Sequence, residues 1–118
     1  MLDLVAKKLF LTKGVGIADD KLTSFEFALR QAGIAGTNIV LISSIFPPNA
    51  KLIPRKEGLK LIKPGQILFT IYSRTQTNEP NRLISASVGI AQPKDRTKYG
   101  YLSEYDTYGK NEREAGDY

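Results

Sequence analysis

The spacing of apolar and polar positions predicts several short strands and one well-marked helix. Residues 9–12, Leu9-Phe10-Leu11-Thr12, read as a short strand. Lys13-Gly14-Val15-Gly16 follows, and its two glycines suggest an unusual backbone path or a close approach by something else. It is not a phosphate loop, because no Gly-Lys-Ser/Thr comes after it. Thr23 is expected to open a helix, since Thr23-Ser24-Phe25-Glu26 has the spacing of a capping box. Phe25, Ala28, Leu29 and Ala32 then recur at helical spacing, and Gly33 stands where a left-handed C-cap would end the helix.

Residues 38–43 form a continuous apolar, β-branched run after Asn38, the pattern of a buried strand. The run ends at Ser43-Ser44. Ile45-Phe46-Pro47-Pro48-Asn49 is expected to carry the chain away as an extended loop, because prolines exclude helix and central strand. Residues 56–62 suit a short helix and Lys63-Pro64-Gly65 a turn. Residues 66–73 alternate Ile67, Phe69 and Ile71 against Gln66, Leu68, Thr70 and Tyr72, as a strand does. Residues 75–81 read as a polar loop, 83–91 as a strand, 93–95 as a loop and 99–105 as a last strand, with helical character returning at 110–115. No internal repeat or linker interrupts the chain, so residues 1–118 are expected to form a single α+β domain.

Composition sharpens this pattern mainly through what is missing. With 42% hydrophobic and 25% charged residues, the chain can build an ordinary core and is not of the disordered class. It contains no Cys, His or Trp. Thiol nucleophiles, disulfides and Ser-His-Asp triads are therefore excluded, and the commonest general base and zinc ligand are absent. An enzyme built this way must rely on carboxylates, Lys, Ser, Tyr, a bound cofactor, or a group made from the chain itself. The net charge of +5 is spread along the sequence without a basic block or an aromatic-interleaved stripe, which disfavours a nucleic-acid-binding role. Residues 1–10 lack the apolar run and cleavage site of a signal peptide, and no apolar stretch has transmembrane length, so a cytoplasmic protein is expected.

The Ser43-Ser44 pair is the strongest candidate for chemistry. It stands where a strand hands over to a proline-stiffened loop, so one hydroxyl can be held against the preceding carbonyl. Attack by Ser44 Oγ on the Ser43 carbonyl would give an ester, and β-elimination would break the chain and leave dehydroalanine. Hydrolysis would convert that to a pyruvoyl group, a ketone able to form a Schiff base with an amine and act as an electron sink. Read alone, two small polar residues at a strand end are more often only a strand end.

The surrounding sequence resembles the pyruvoyl-dependent arginine decarboxylases. Their hallmark of Asn, an apolar run, Ser-Ser-Ile and Pro-Pro is matched by Asn38-Ile39-Val40-Leu41-Ile42-Ser43-Ser44-Ile45-Phe46-Pro47-Pro48. Glu57-Gly58-Leu59, Lys63-Pro64-Gly65, Ile84-Ser85-Ala86-Ser87, Ala91-Gln92-Pro93-Lys94-Asp95 and Gly100-Tyr101-Leu102-Ser103-Glu104-Tyr105 agree in order, from about Lys8 to Tyr118. The resemblance implies a layered αββα sandwich, a covalently bound pyruvoyl group derived from Ser44, and no metal or pyridoxal phosphate. It implies self-cleavage into residues 1–43 (the β chain, ending at Ser43) and 44–118 (the pyruvoyl-bearing α chain). It also implies decarboxylation of L-arginine to agmatine and CO2 through a Schiff base, in polyamine synthesis or acid resistance, by homotrimers or hexamers with active sites between neighbouring subunits.

By the same resemblance, Asn38 belongs to the self-cleavage site, Glu104 protonates the product carbon, and Glu26 and Ser43 contact the substrate. A proton donor at Glu104 should be partly desolvated. Glu26 would grip the guanidinium of arginine, although its place in the expected capping box gives the same carboxylate a competing task. The family can carry Asp there, so a Glu changes the reach of the pocket. Family members continue past Ala115-Gly116-Asp117-Tyr118 with more helix and a further strand, so the C-terminal part of the family domain is expected to be absent from this chain. A non-catalytic, unprocessed, oligomer-forming or regulatory relative is the alternative reading. The retention of Asn38, Ser43, Ser44 and Glu104 together argues against it.

Overall fold

A computed structural model describes residues 4–74 and 84–108. The architecture is α+β: seven short strands and two helices among the described residues. The chain divides into two compact units, Met1–Val40 with Ala50–Phe69, and Leu41–Asn49 with Thr70–Tyr118. The expected loop at 75–81 and the helical start at 110–115 lie outside the described residues.

In the first unit, β1 (Lys8–Leu9) pairs in parallel with β4 (Lys51–Leu52), placing Lys8 opposite Lys51. Thr12, expected as the end of β1, lies outside it and instead donates its hydroxyl to the carbonyl of Ala32 at 2.7 Å. That bond satisfies one of the carbonyls left open at the end of α1 (Lys21–Ala32). The start of α1 also differs from the capping-box expectation. Asp20 is the N-cap, accepting from the Thr23 N–H at 2.7 Å and the Thr23 hydroxyl at 2.9 Å. Those Thr23 bonds hold the Asp20 carboxyl below its ordinary range. The Asp20 carboxylate three residues upstream takes the cap from Thr23, because Asp is a better N-cap than Thr. At the other end Gly33 has φ 87°, and its N–H bonds to the Arg30 carbonyl while Ile34 N–H reaches the Leu29 carbonyl. This is the expected left-handed end, closed as a Schellman motif.

Gly14 and Gly16 explain themselves against α1. A Cβ at Gly14 would land on the Ala28 carbonyl, and one at Gly16 on the Ser24 carbonyl, so the segment lies backbone to backbone on the helix. Arg55, at the start of α2 (Arg55–Lys60), donates to the Thr12 hydroxyl at 2.8 Å and to the Gln31 carbonyl at 2.9 Å. The helix begins one residue earlier than the sequence pattern implies and ends two earlier, with Pro54 as its N-cap. Ala32, Ile34 and Ala50 are the buried apolar side chains among the described residues of this unit.

The chain crosses between units within β2 (Asn38–Leu41) and again within β5 (Ile67–Thr70), which pair in a two-stranded sheet. The apolar run 38–43 is not buried as expected: Val40 is 41% and Leu41 59% exposed. The physical reason is that β2 has one partner strand among the described residues, whose own Ile67 and Phe69 are also exposed, and a two-stranded ribbon leaves its faces open.

In the second unit, a three-stranded antiparallel sheet runs in the order β3 (Ile45–Phe46), β7 (Gly100–Tyr108), β6 (Ile84–Ala91). Ile45 and Phe46, expected in a loop, form an edge strand pairing with Tyr101 and Gly100. The prolines do restrict this region, but one residue later, where Pro47 follows the strand and Asn49 reverses the chain at φ 61°. Phe46 and Leu102, each 3% exposed, are the buried apolar side chains among the described residues of this unit. The approach to β7 is fixed by Asp95, which accepts from both the N–H and the hydroxyl of Thr97, and by the Asn49 N–H bonded to the Arg96 carbonyl.

Candidate active site

Ser43 and Ser44 occupy the short segment between β2 and β3, and both are exposed. Two backbone hydrogen bonds bracket them. Ile42 N–H donates to the Thr70 carbonyl at 3.0 Å, and Leu102 N–H donates to the Ser44 carbonyl at 2.8 Å. The residue before the pair is thus tied to β5 and the second serine to β7. The peptide between Ser43 and Ser44 is the step by which the chain leaves one sheet for the other.

The Leu102–Ser44 bond continues the β3–β7 register, in which Ile45 opposes Tyr101 and Phe46 opposes Gly100. Side chains alternate along a strand, so Leu102 and Glu104 share one face of β7, roughly 7 Å apart at their Cα atoms. The same register puts Ser44 opposite Leu102. Ser44 itself lies in a bend just before β3, and Glu104 stands two residues beyond Leu102 on β7, opposite Val88 of β6. Glu104 is exposed, not partly desolvated as a proton donor should be. On the other face Gly89 opposes Ser103, and a Cβ at position 89 would come within 2.8 Å of the Ser103 hydroxyl.

Asn38 and Glu26 lie in the first unit. Asn38 pins the 63–66 turn: its backbone N–H donates to the Gln66 carbonyl and its side-chain amide to the Gly65 carbonyl, at 2.8 and 3.0 Å. Glu26 is free of the helix cap, which removes the competition expected from the sequence. Its carboxylate instead accepts from the Arg30 guanidinium at 2.9 Å, one turn further along α1. That guanidinium also lies 5.8 Å from the centre of the Phe27 ring. Both partners of the ion pair are more than half exposed, so it is worth at most about 1 kcal/mol.

Sequence reasoning missed the Leu102 N–H. It is a main-chain group, and no side-chain pattern announces it. Only the pairing of β3 with β7, itself hidden in what looked like a proline loop, brings it to Ser44.

The model of the pyruvoyl-dependent arginine decarboxylase family matches residues 8–118. Among curated proteins, the chain is 77% identical over 118 residues to the pyruvoyl-dependent arginine decarboxylase of Nitrosopumilus maritimus, covering all of this chain and 64% of that one. It is 52% identical over 118 residues to the protein of that name from Thermoplasma volcanium, with all of this chain and 65% of that one covered. Against the one from Methanococcoides burtonii it is 50% identical over 115 residues, 98% of this chain and 64% of the relative. The chain thus spans just under two thirds of the length of these relatives. An Asn-led strand followed by a bracketed Ser-Ser pair, joined to the match over residues 8–118, makes this chain a member of the pyruvoyl-dependent arginine decarboxylase family.

Proposed function

We propose that the chain is the self-processing part of a decarboxylase that converts L-arginine to agmatine and CO2, using a pyruvoyl group made from Ser44. The observation that carries the reading is the bracketed Ser43–Ser44 step, with both serines exposed and the Ser44 carbonyl bonded to Leu102 N–H. Such a segment fits conversion to a pyruvoyl group: Ser44 Oγ is unburied, and its main chain is anchored on the side that remains attached after cleavage. The pyruvoyl ketone would supply the electron sink for an amino-acid substrate.

The remaining roles belong to this chain's own residues. Asn38 contributes to the self-cleavage site, and Ser43 becomes the new carboxyl terminus beside the substrate. Glu104 delivers a proton to the product carbon. Its position two residues along β7 from the Leu102 N–H that binds the Ser44 carbonyl supports that role, and the partial burial a proton donor needs would come from a neighbouring subunit. Glu26 binds the substrate guanidinium. Its existing bond to Arg30 supports this, because that carboxylate already accepts from a guanidinium, and exchanging a surface ion pair for the substrate costs little.

The layered αββα sandwich and a trimeric or hexameric assembly belong to the same reading. Exposed apolar residues on β2 and β5, among them Leu41 and Ile67 at 59% each, are what a covering layer or subunit would bury. No helix among the described residues is long and apolar enough to cross a membrane, and a cytoplasmic location is part of the proposal. The test is incubation of the protein with L-arginine alongside the Ser44→Ala variant. Agmatine and CO2 from the parent and none from the variant are expected. No agmatine from a parent that has cleaved itself would remove arginine as substrate, and a parent that never cleaves would favour the non-catalytic relative.

A further inference from the structure

Self-processing has two chemically distinct halves, and the Ser44 carbonyl takes part in only the second. In the first, Ser44 Oγ attacks the Ser43 carbonyl carbon, the Ser43–Ser44 C–N bond breaks, and an ester with a free Ser44 amine results. Charge develops there on the Ser43 oxygen. In the second half a base in solution removes the Ser44 α-proton. The Cα–Cβ double bond forms as the Cβ–Oγ bond breaks, and Ser43 leaves as a carboxylate. Water then converts the resulting enamine, through its imine, to the ketone with loss of ammonia. Removal of the α-proton places negative charge on the Ser44 carbonyl oxygen, as in any enolate.

That oxygen is the one 2.8 Å from Leu102 N–H. Leu102 is 3% exposed, so the donor is fixed in a packed part of the sheet and needs no reorientation when charge appears. We propose that the backbone N–H of Leu102 is a catalytic donor for the elimination half of self-processing, stabilising the charge on the Ser44 carbonyl oxygen. The proposal rests on the self-cleavage reading above and adds a step-specific role to it. The carbonyl survives processing as the amide beside the new ketone, so the same donor stays on it in the finished protein.

The decisive variant replaces Leu102 with its α-hydroxy acid, which exchanges the donating N–H for an ester oxygen and keeps the side chain. Glycolic acid at position 100 is the control, since Gly100 opposes Phe46 two residue pairs along the same ladder. Two rates are read by mass at the 43/44 junction: spontaneous cleavage, and cleavage induced by hydroxylamine, which intercepts the ester before elimination. Hydrolysis at the introduced ester gives fragments of different mass. The expected result is a fall of about a hundredfold in spontaneous cleavage at position 102 with hydroxylamine-induced cleavage retained, and neither change at position 100. Spontaneous cleavage at the parent rate would overturn the proposal, as would a parallel fall in both rates, which would mean that the bond only shapes the loop. A parent chain that is uncut and resistant to hydroxylamine would instead overturn the self-cleavage reading. Independently of how the ester variants fold, the Leu102 amide of the Ser44→Ala chain must exchange slowly with deuterium, and fast exchange there would refute the donor.

Discussion

The surroundings of α1 in the first unit are tied by side chains and close-packed glycines, those of Ser44 in the second by main-chain bonds. Around α1, Asp20 closes the start and Thr12 the end, Arg55 ties Thr12 to Gln31, and Gly14 and Gly16 lie directly on the helix backbone. Around Ser44, the bonds are Ile42 to Thr70, Ser44 to Leu102 and Asn49 to Arg96, all between backbone groups. The difference separates two kinds of vulnerability. Substitutions in the first unit can remove the groups that hold it together. Around Ser44 a side-chain substitution can remove chemistry and still leave these bonds in place, because the bonding groups belong to the backbone.

The sharpest test of that separation is Glu104→Gln. Turnover should fall about a hundredfold or more, the ordinary scale for losing a positioned proton donor, with unchanged arginine binding and melting temperature. A variant that loses turnover only because it melts early would collapse the distinction. Gly16→Ala should do the opposite. Its new methyl meets the Ser24 carbonyl and the Ala28 N, so denaturant unfolding should register a loss of about 2–3 kcal/mol, with the chemistry at Ser44 unaltered in whatever fraction remains folded. Arg55→Met keeps much of the side-chain bulk but deletes two hydrogen bonds, and a loss of about 1 kcal/mol is expected in the same assay.

The smallest effect is on pH dependence. Asp20 is held below its ordinary range chiefly by the Thr23 N–H, and Asp95 by the Thr97 hydroxyl. A depressed folded value means the ionised form binds more tightly in the native state. Their contribution is therefore complete above the unfolded carboxylate range, near pH 4, and is lost as pH falls through the folded values. Asp20→Asn should flatten the acid limb of the stability curve slightly and leave the neutral region nearly unchanged, because Asn also caps helices well.

Much of this was legible in the order of residues. The Gly33 stop, the β6 and β7 strands and the close approach at Gly14 and Gly16 follow from local pattern and backbone sterics. The cap at Asp20 was available in the sequence, since an N-cap residue stood three positions before Thr23, but the capping-box spacing pointed one turn too far. Strand β3 was obscured because Pro47 and Pro48 read as a loop, although neither ring falls inside the two paired residues. The exposure of residues 40–42 was not readable at all: an apolar run states that something should cover it, not what does so. At the candidate site, Ser43, Ser44 and Glu104 carry side-chain signals, whereas the bonds to Thr70 and Leu102 depend on strand pairing across distant sequence.

The central claim is tested most directly by a denaturing intact-mass spectrum of the purified chain after warm incubation. The account expects two pieces, residues 1–43 and residues 44–118, with the second lacking a free amine at its start because Ser44 has become a ketone. A single uncut chain, or a second piece beginning with an ordinary serine amine, would contradict it.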